Sequence, residues 1–182
     1  IQTYGDRQIQ VQLPGEKNIE RAKRLITQSA FLTFHLMVQQ QESDDIFKAI
    51  ENKFPKQFLP YLRMAEPGAP YELDEQYYDN IRQVVADARN VSGLLPENRD
   101  IFFSKKPQQW DQNKRYRVYV LEKEPLMTGA NLTRAAARPD PNSPEGFYHI
   151  LFAMDTAGGR KFGEVTESNV GRNLAIVVDN VV

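Results

Sequence analysis

The stretch "VQLPGEKNIERAKRLI", residues 11–26, decides how the chain is read, because it turns the end of a strand into the start of a helix within a few residues. In "DRQIQVQLPG", Ile9, Val11 and Leu13 alternate with Gln8, Gln10 and Gln12. Period two predicts a half-buried strand. Pro14 has no amide to give a ladder and ends that strand. Gly15 supplies turn conformations that residues with a Cβ adopt reluctantly. Asn18 suits the N-cap of a helix, where its side-chain oxygen takes a first-turn amide. Ile19, Ala22, Leu25 and Ile26 then recur at helical spacing, with Glu20, Arg21, Lys23 and Arg24 outside, which predicts a short amphipathic helix. "AFLTFHLMV", residues 30–38, is mostly apolar and reads as a buried strand.

The chain has 182 residues, enough for one large domain or two small ones. It has no cysteine, which excludes disulfides and thiolate metal sites. The net charge is −1 and no basic face stands out, so a nucleic-acid partner is not expected. No apolar run approaches the ~18 residues that cross a bilayer. The chain opens on Ile1 and stops inside the apolar run "NLAIVVDNVV". We therefore expect flanking segments, membrane spans among them, beyond both ends.

Beyond residue 38 the character changes. "QQQESDD" marks a boundary, with Ser43 or Asp44 as cap of a helix through Ile46, Phe47 and Ile50. "FPKQFLPYLRMAEPGAP" carries four prolines and predicts irregular backbone or broken helical turns. Asp74 is the expected cap of the clearest helix, whose stripe is Tyr77, Tyr78, Ile81, Val84, Val85 and Ala88, and Gly93 ends it. "DIFFS" and "RYRVYVLE" read as strands joined by the polar turn "KKPQQWDQN". "LMTGANLTRAAAR" reads as a turn at Gly129 and a short helix. After the loop "RPDPNSPEG" comes the strand "GFYHILFAM". Asp155 then caps a helix with Ala157, Phe162 and Val165 inward, Gly171 closes it, and "NLAIVVDNVV" is a last strand.

Setting residues 41–114 aside leaves strand, helix, strand, strand, helix, strand, the ferredoxin-like β-α-β-β-α-β order, with one more helix and strand. The expected class is α+β. Residues 1–40 and 115–182 form a base, its second part stopping short at the C-terminus. Residues 41–114 form a mostly helical head inserted between the second and third base strands. The head carries 10 basic and 13 acidic residues and the rest 13 and 11, a split that suggests only ordinary solubility.

No constellation for chemistry emerges, and we expect no catalytic residue, metal or cofactor. His35 and His149 sit in apolar strand contexts without partners of ligand type. "DTAGGRKFG" lacks both nucleotide-binding glycine patterns. Asp44–Asp45 and Asp74–Glu75 stand at expected helix starts, where acids favour the macrodipole. Phe54, Phe58, Leu59, Tyr61, Leu62 and Met64 are different, because they crowd a proline-broken segment. Core packing is the plain account of them. Aromatics and Met on irregular backbone also suit an adaptable surface that grips many polypeptides weakly.

Three blocks resemble the SecD family, a subunit of the bacterial protein-export machinery. "GDRQIQVQLPGEKNIERAKRLI" followed by "AFLTFHLM" is similar to that family's strand, VQLPG-like turn, ERAKxLI-like helix and Leu/Phe strand. "EPLMTGANLTRA" is similar to E-P-L-x-T-G-x-x-L-x-x-A. "AGGRKFGEVTESNVGRNLAIVVDNVV" is similar to G-x-K-F-x-x-x-T-x-x-N-x-G-x-x-L-A-I-V-x-D. The blocks give Pro14, Gly15, Gly129 and Gly171 as structural motif positions. The resemblance says little about residues 41–114. The resemblance implies a fragment of the first, large periplasmic domain of an inner-membrane protein, tethered by spans outside this chain. It implies no enzymatic activity. It implies partnership with SecF and SecYEG, and capture of unfolded preprotein that is pulled forward by the proton-motive force. It also makes the head the part that swings and grips.

Two other readings come from the residues alone. A small acylphosphatase-like enzyme on the same fold would need an anion-binding loop, for which Asn18 and Arg21 are the nearest candidates. A ligand- or protein-binding module would instead hold one folded partner.

Overall fold

The computed structural model describes residues 2–3, 8–12, 32–105, 108–110, 113–139 and 148–182. The turn at Pro14 and Gly15 and the expected helix with Asn18 and Arg21 lie outside the described residues. In chain order the strands and helices are β1 (Gln2–Thr3), β2 (Gln8–Gln12), β3 (Leu32–Leu36), α1 (Gln40–Lys53), β4 (Leu62–Met64), β5 (Tyr71–Asp74), α2 (Tyr78–Arg89), β6 (Arg99–Phe103), β7 (Gln108–Trp110), β8 (Asn113–Glu122), β9 (Met127–Thr128), β10 (Leu132–Pro139), β11 (Tyr148–Met154), α3 (Thr156–Ser168) and β12 (Leu174–Val178). Helices and antiparallel sheets make this an α+β protein. Its residues divide into two compact units, 1–34 with 126–171 and 35–125 with 172–182.

In the first unit the sheet order is β1-β2-β11-β10. Residues 8–12 pair antiparallel with 149–153, and Thr33 and Phe34 of β3 pair with Thr128 and Met127 of β9. The early strands therefore find partners more than ninety residues later. Phe34 is buried and meets Phe152 and Phe162 edge to face, with ring centroids at 6.4 and 6.0 Å. That cluster joins β3, β11 and α3, and edge-to-face rings add about 1 kcal/mol per pair to their burial.

Asp155 caps α3 as expected, its Oδ1 accepting from Gly158 N at 2.6 Å. Gly171, at φ +83°, takes the left-handed turn after the helix. Two expectations here need correction. Ala157 is exposed, and the inward residues of the first turns are Gly158 and Phe162. The cap sets the helix phase, and a side chain at 158 would collide with Asn131, so only glycine fits the inward position. Residues 132–139 form strand β10 and no helix. Alanine favours helix only weakly as a prior, and the seven-residue ladder to β11 overrides it. The second helix of the expected β-α-β-β-α-β order is thus missing from its place.

In the second unit β8 is the central strand of a five-stranded antiparallel sheet in the order β4-β5-β8-β6, with β7 folded back onto β8. Leu62, Leu73 and Tyr116 stand opposite one another, as do Met64, Tyr71 and Val118. Opposed residues share a face, and this face packs α1 and α2. Phe47 and Ile50 of α1, and Ile81, Val85 and Ala88 of α2, are fully buried with Phe58, Leu73, Ile101 and Val118. The α2 stripe matches the spacing in the sequence. On the other face Tyr119 and Leu121 pack with Ala175 and Val177 of β12. β12 ends in a tight reversal with Asp179 and Asn180 at φ 53° and 63°. Val182 then donates to Phe103 O at 3.0 Å.

Residues 41–114 hold β4, β5, β6 and β7 beside α1 and α2, so this stretch is mixed, where a mostly helical one was expected. The four-residue strand "YELD" is too short to show a period among prolines. Neither expected cap operates. α1 begins at Gln40, which leaves Ser43 and Asp44 inside its first turns. Asp74 caps nothing; its carboxylate takes Arg63 and lies 3.3 Å from Arg115. Two guanidiniums in reach hold the carboxylate more strongly than a free amide does.

Candidate functional site

The six residues of the proline-broken segment fall at the outer edge of the second unit's sheet. α1 ends at Lys53 with Phe54 as its C-cap, and the chain reverses through Lys56 at φ 61°. Phe58 then plunges into the core at 0% exposure, its ring 5.2 Å from Phe47. Phe54, Leu59 and Leu62 pack half-buried against the same core. A 3-10 turn over Leu59–Tyr61, with Pro60 fixing its first residues, delivers the chain into β4. Met64, at the end of β4, is half-buried. Tyr61 is 36% exposed, with its ring 4.6 Å from that of Tyr77.

The six residues therefore divide by role. Phe58 anchors the segment and offers no surface. Tyr61, Leu62 and Met64 line the rim, with Phe54 and Leu59 behind them. β4 pairs with β5 on one side and, among the described residues, has no strand on the other. Alternate amides and carbonyls of such an edge point away from the sheet, a template for an added strand.

The segment is held by one carboxylate. Glu51 Oε1 accepts from Lys56 N at 2.6 Å, and Oε2 accepts from Phe58 N at 3.2 Å and Leu59 N at 2.8 Å. Burial pushes the Glu51 carboxyl up, but these three amides outweigh it and hold it below its ordinary value. Nearby, the Tyr71 hydroxyl donates to Asp44 at 2.7 Å; burial first, then that bond and the Asp44 charge, pushes the phenol up to about 12. Beside the rim, Tyr78 and Tyr116 stack at 3.8 Å with Arg82 5.4 Å over the Tyr78 ring.

Sequence reasoning placed Tyr77 in the helix stripe and missed its pairing with Tyr61. It also missed Glu51, because a bond from a helix end to a loop five to eight residues on has no period. His35 is buried and lies 2.7 Å from the Glu122 carbonyl, in keeping with a structural histidine. Among the described residues, no three His, Cys, Asp or Glu side chains gather as a metal site would need. Nor is any described helix long and apolar enough to cross a membrane.

Comparison with known proteins gives a consistent family. A family model described as SecDF, P1 head subdomain, matches residues 103–182. A second, described as protein translocase subunit SecDF, P1 domain, N-terminal, matches residues 1–46. Relatives named protein translocase subunit SecD align along essentially the whole chain. That of Elusimicrobium minutum is 29% identical over 100% of this chain and 31% of its own length. That of Endomicrobium trichonymphae is 30% identical over 100% and 32%. That of Synechocystis is 31% identical over 99% and 32%. The chain thus spans about a third of the length of the curated relatives it matches. No solved structure matches it. Two models of one domain in chain order, together with relatives of one name along the full sequence, place this chain in the SecD family of protein-export subunits, as a segment of the P1 domain.

Proposed function

We propose that this segment is the non-enzymatic, periplasmic part of an inner-membrane SecD subunit that captures preprotein and, with SecF and SecYEG, helps pull it across the membrane at the expense of the proton-motive force. Within it, residues 41–114 are the gripping head and residues 1–40 with 115–182 the mount, except that β8 (Asn113–Glu122) crosses that boundary to complete the head's sheet. A ferredoxin-like core for the mount belongs to the same proposal, supported by the antiparallel pairing of β2 with β11, with strand β10 standing where its second helix was expected.

The observation that carries the proposal is the outer edge of the sheet at β4. A translocating chain is extended and of arbitrary sequence. It can be held through its backbone by a strand edge, which reads no side chains. Tyr61 and Tyr77 add a flat apolar ledge beside that edge, and Met64 a pliable one. Contacts of this kind are weak singly and release a moving passenger.

Site-directed photocrosslinking tests this. A photoreactive phenylalanine analogue replaces Met64 in the full-length subunit, and a stalled preprotein is supplied to membrane vesicles. We expect a preprotein adduct from position 64 and none from Val170, an exposed residue after α3. Equal labelling from both positions, or none from 64, overturns the proposal.

A further inference from the structure

We propose that Glu51 is the positioning residue of this polypeptide-binding surface: its carboxylate fixes the backbone of residues 56–59, so that Tyr61 reaches Tyr77 and the free edge begins at Leu62. The inference rests on the polypeptide-binding proposal above.

Three amides converge on one carboxylate at 2.6, 3.2 and 2.8 Å. They come from a reversal with Lys56 in the left-handed region, where a lysine does not rest by preference. Bonds from amides to a charged acceptor are about twice as strong as neutral ones. The carboxylate therefore supplies what holds the reversal in shape. Its effect passes directly to the surface. Phe58, whose amide it takes, is the core anchor, and the Phe58 carbonyl in turn accepts from Tyr61 N at 3.2 Å. Leu59, whose amide it also takes, accepts from Leu62 N as the strand begins. One side chain at the end of α1 thus sets both Tyr61 and the first residue of β4.

Geometry restricts which residue can do this. Glutamine has one oxygen in place of two and cannot receive all three amides. Aspartate keeps the charge but is shorter by one methylene.

The test measures binding of a fluorescein-labelled, reduced and carboxymethylated α-lactalbumin, a permanently unfolded chain, to the 182-residue segment by fluorescence anisotropy. Variants are Glu51→Gln, Glu51→Asp and Tyr61→Ala, with amide hydrogen exchange followed in each. We expect Glu51→Gln and Glu51→Asp to weaken binding about tenfold, the worth of one lost charge-assisted bond. Exchange should accelerate at Lys56, Phe58 and Leu59 while β5 and α2 keep wild-type protection. If both Glu51 variants bind as the wild type does while Tyr61→Ala binds weakly, Glu51 positions nothing and the binding surface stands. If Tyr61→Ala also binds as the wild type does, the surface itself is wrong and this inference falls with it.

Discussion

The hydroxyl of Tyr71 donates to Asp44 across 2.7 Å and ties β5 to the first turns of α1. The same Asp44 oxygen accepts from Gln40 at 2.7 Å. Tyr71→Phe keeps the ring against Phe47 and removes only this bond, so we expect a loss of about 1 kcal/mol. The titration has a sign. Tyr71 is raised to about 12 from an ordinary value of 10.0, so its contribution is whole below pH 10 and is lost as the pH climbs toward 12. Urea unfolding of wild type and Tyr71→Phe between pH 8 and 11 checks both parts, the difference narrowing at the alkaline end.

Glu72 is 4% exposed and receives Arg115 at 3.2 Å. A buried charge that loses its partner costs about 3 kcal/mol or more. Arg115→Met should therefore unfold at distinctly lower denaturant concentration. Adding Glu72→Gln to it should restore much of the loss, because the stranded charge is gone. Two independent, additive losses in a double-mutant cycle would refute the coupling.

The glycines of α3 should answer in opposite directions. A Cβ on Gly158 would lie 2.4 Å from the Asn131 Cβ, so Gly158→Ala must push apart two packed segments, at about 1–3 kcal/mol. A Cβ on Gly163 meets nothing within 4 Å, and Gly163→Ala removes a flexible residue from mid-helix, a gain of about 0.5–1 kcal/mol. Thermal melts of the two variants decide the matter, with the wild type falling between them.

Two carboxylates shape the acid limb. Glu51 is lowered by its three amides, against burial, and Asp155 by the Gly158 amide and then Asn131. Groups so lowered stabilise the fold above their ordinary values and stop doing so as pH falls through the folded ones. We expect stability to decline below about pH 4, and the decline to be shallower in Glu51→Gln/Asp155→Asn. Denaturant midpoints from pH 6 to pH 2 measure it.

Much of the architecture could be read where a residue pattern answers to one cause. The alternation around Val11 gives β2, and the spacing Ile81, Val84, Val85, Ala88 gives α2, where burial on one side imposes the period. Asp155 was legible as a cap because its partner amide is three residues away. What failed to show depends on distant partners. Ala135 and Ala136 are extended because β11 lies beside them. Asp74 turns from cap to ion-pair partner because β4 and β8 bring it Arg63 and Arg115. The aromatic-rich segment was visible as a candidate, but the sequence could not sort the anchoring Phe58 from the outlying Tyr61. That distinction is set by the hold of Glu51 and the start of β4.

Strand β8 bonds to β5, β6 and β7, and also to Val38, whose amide reaches the Val120 carbonyl at 3.1 Å. Every one of these neighbours precedes it in the chain. While the polypeptide is being made, the hairpin of β4 and β5 can close early, yet the remaining ladders must wait for residues 113–122 to leave the ribosome. Until then the oily sides of both helices lack the central strand of the sheet they pack on, and a nascent chain in that condition is prone to aggregate. The segment itself thus needs shelter during its own synthesis, until that one strand has emerged.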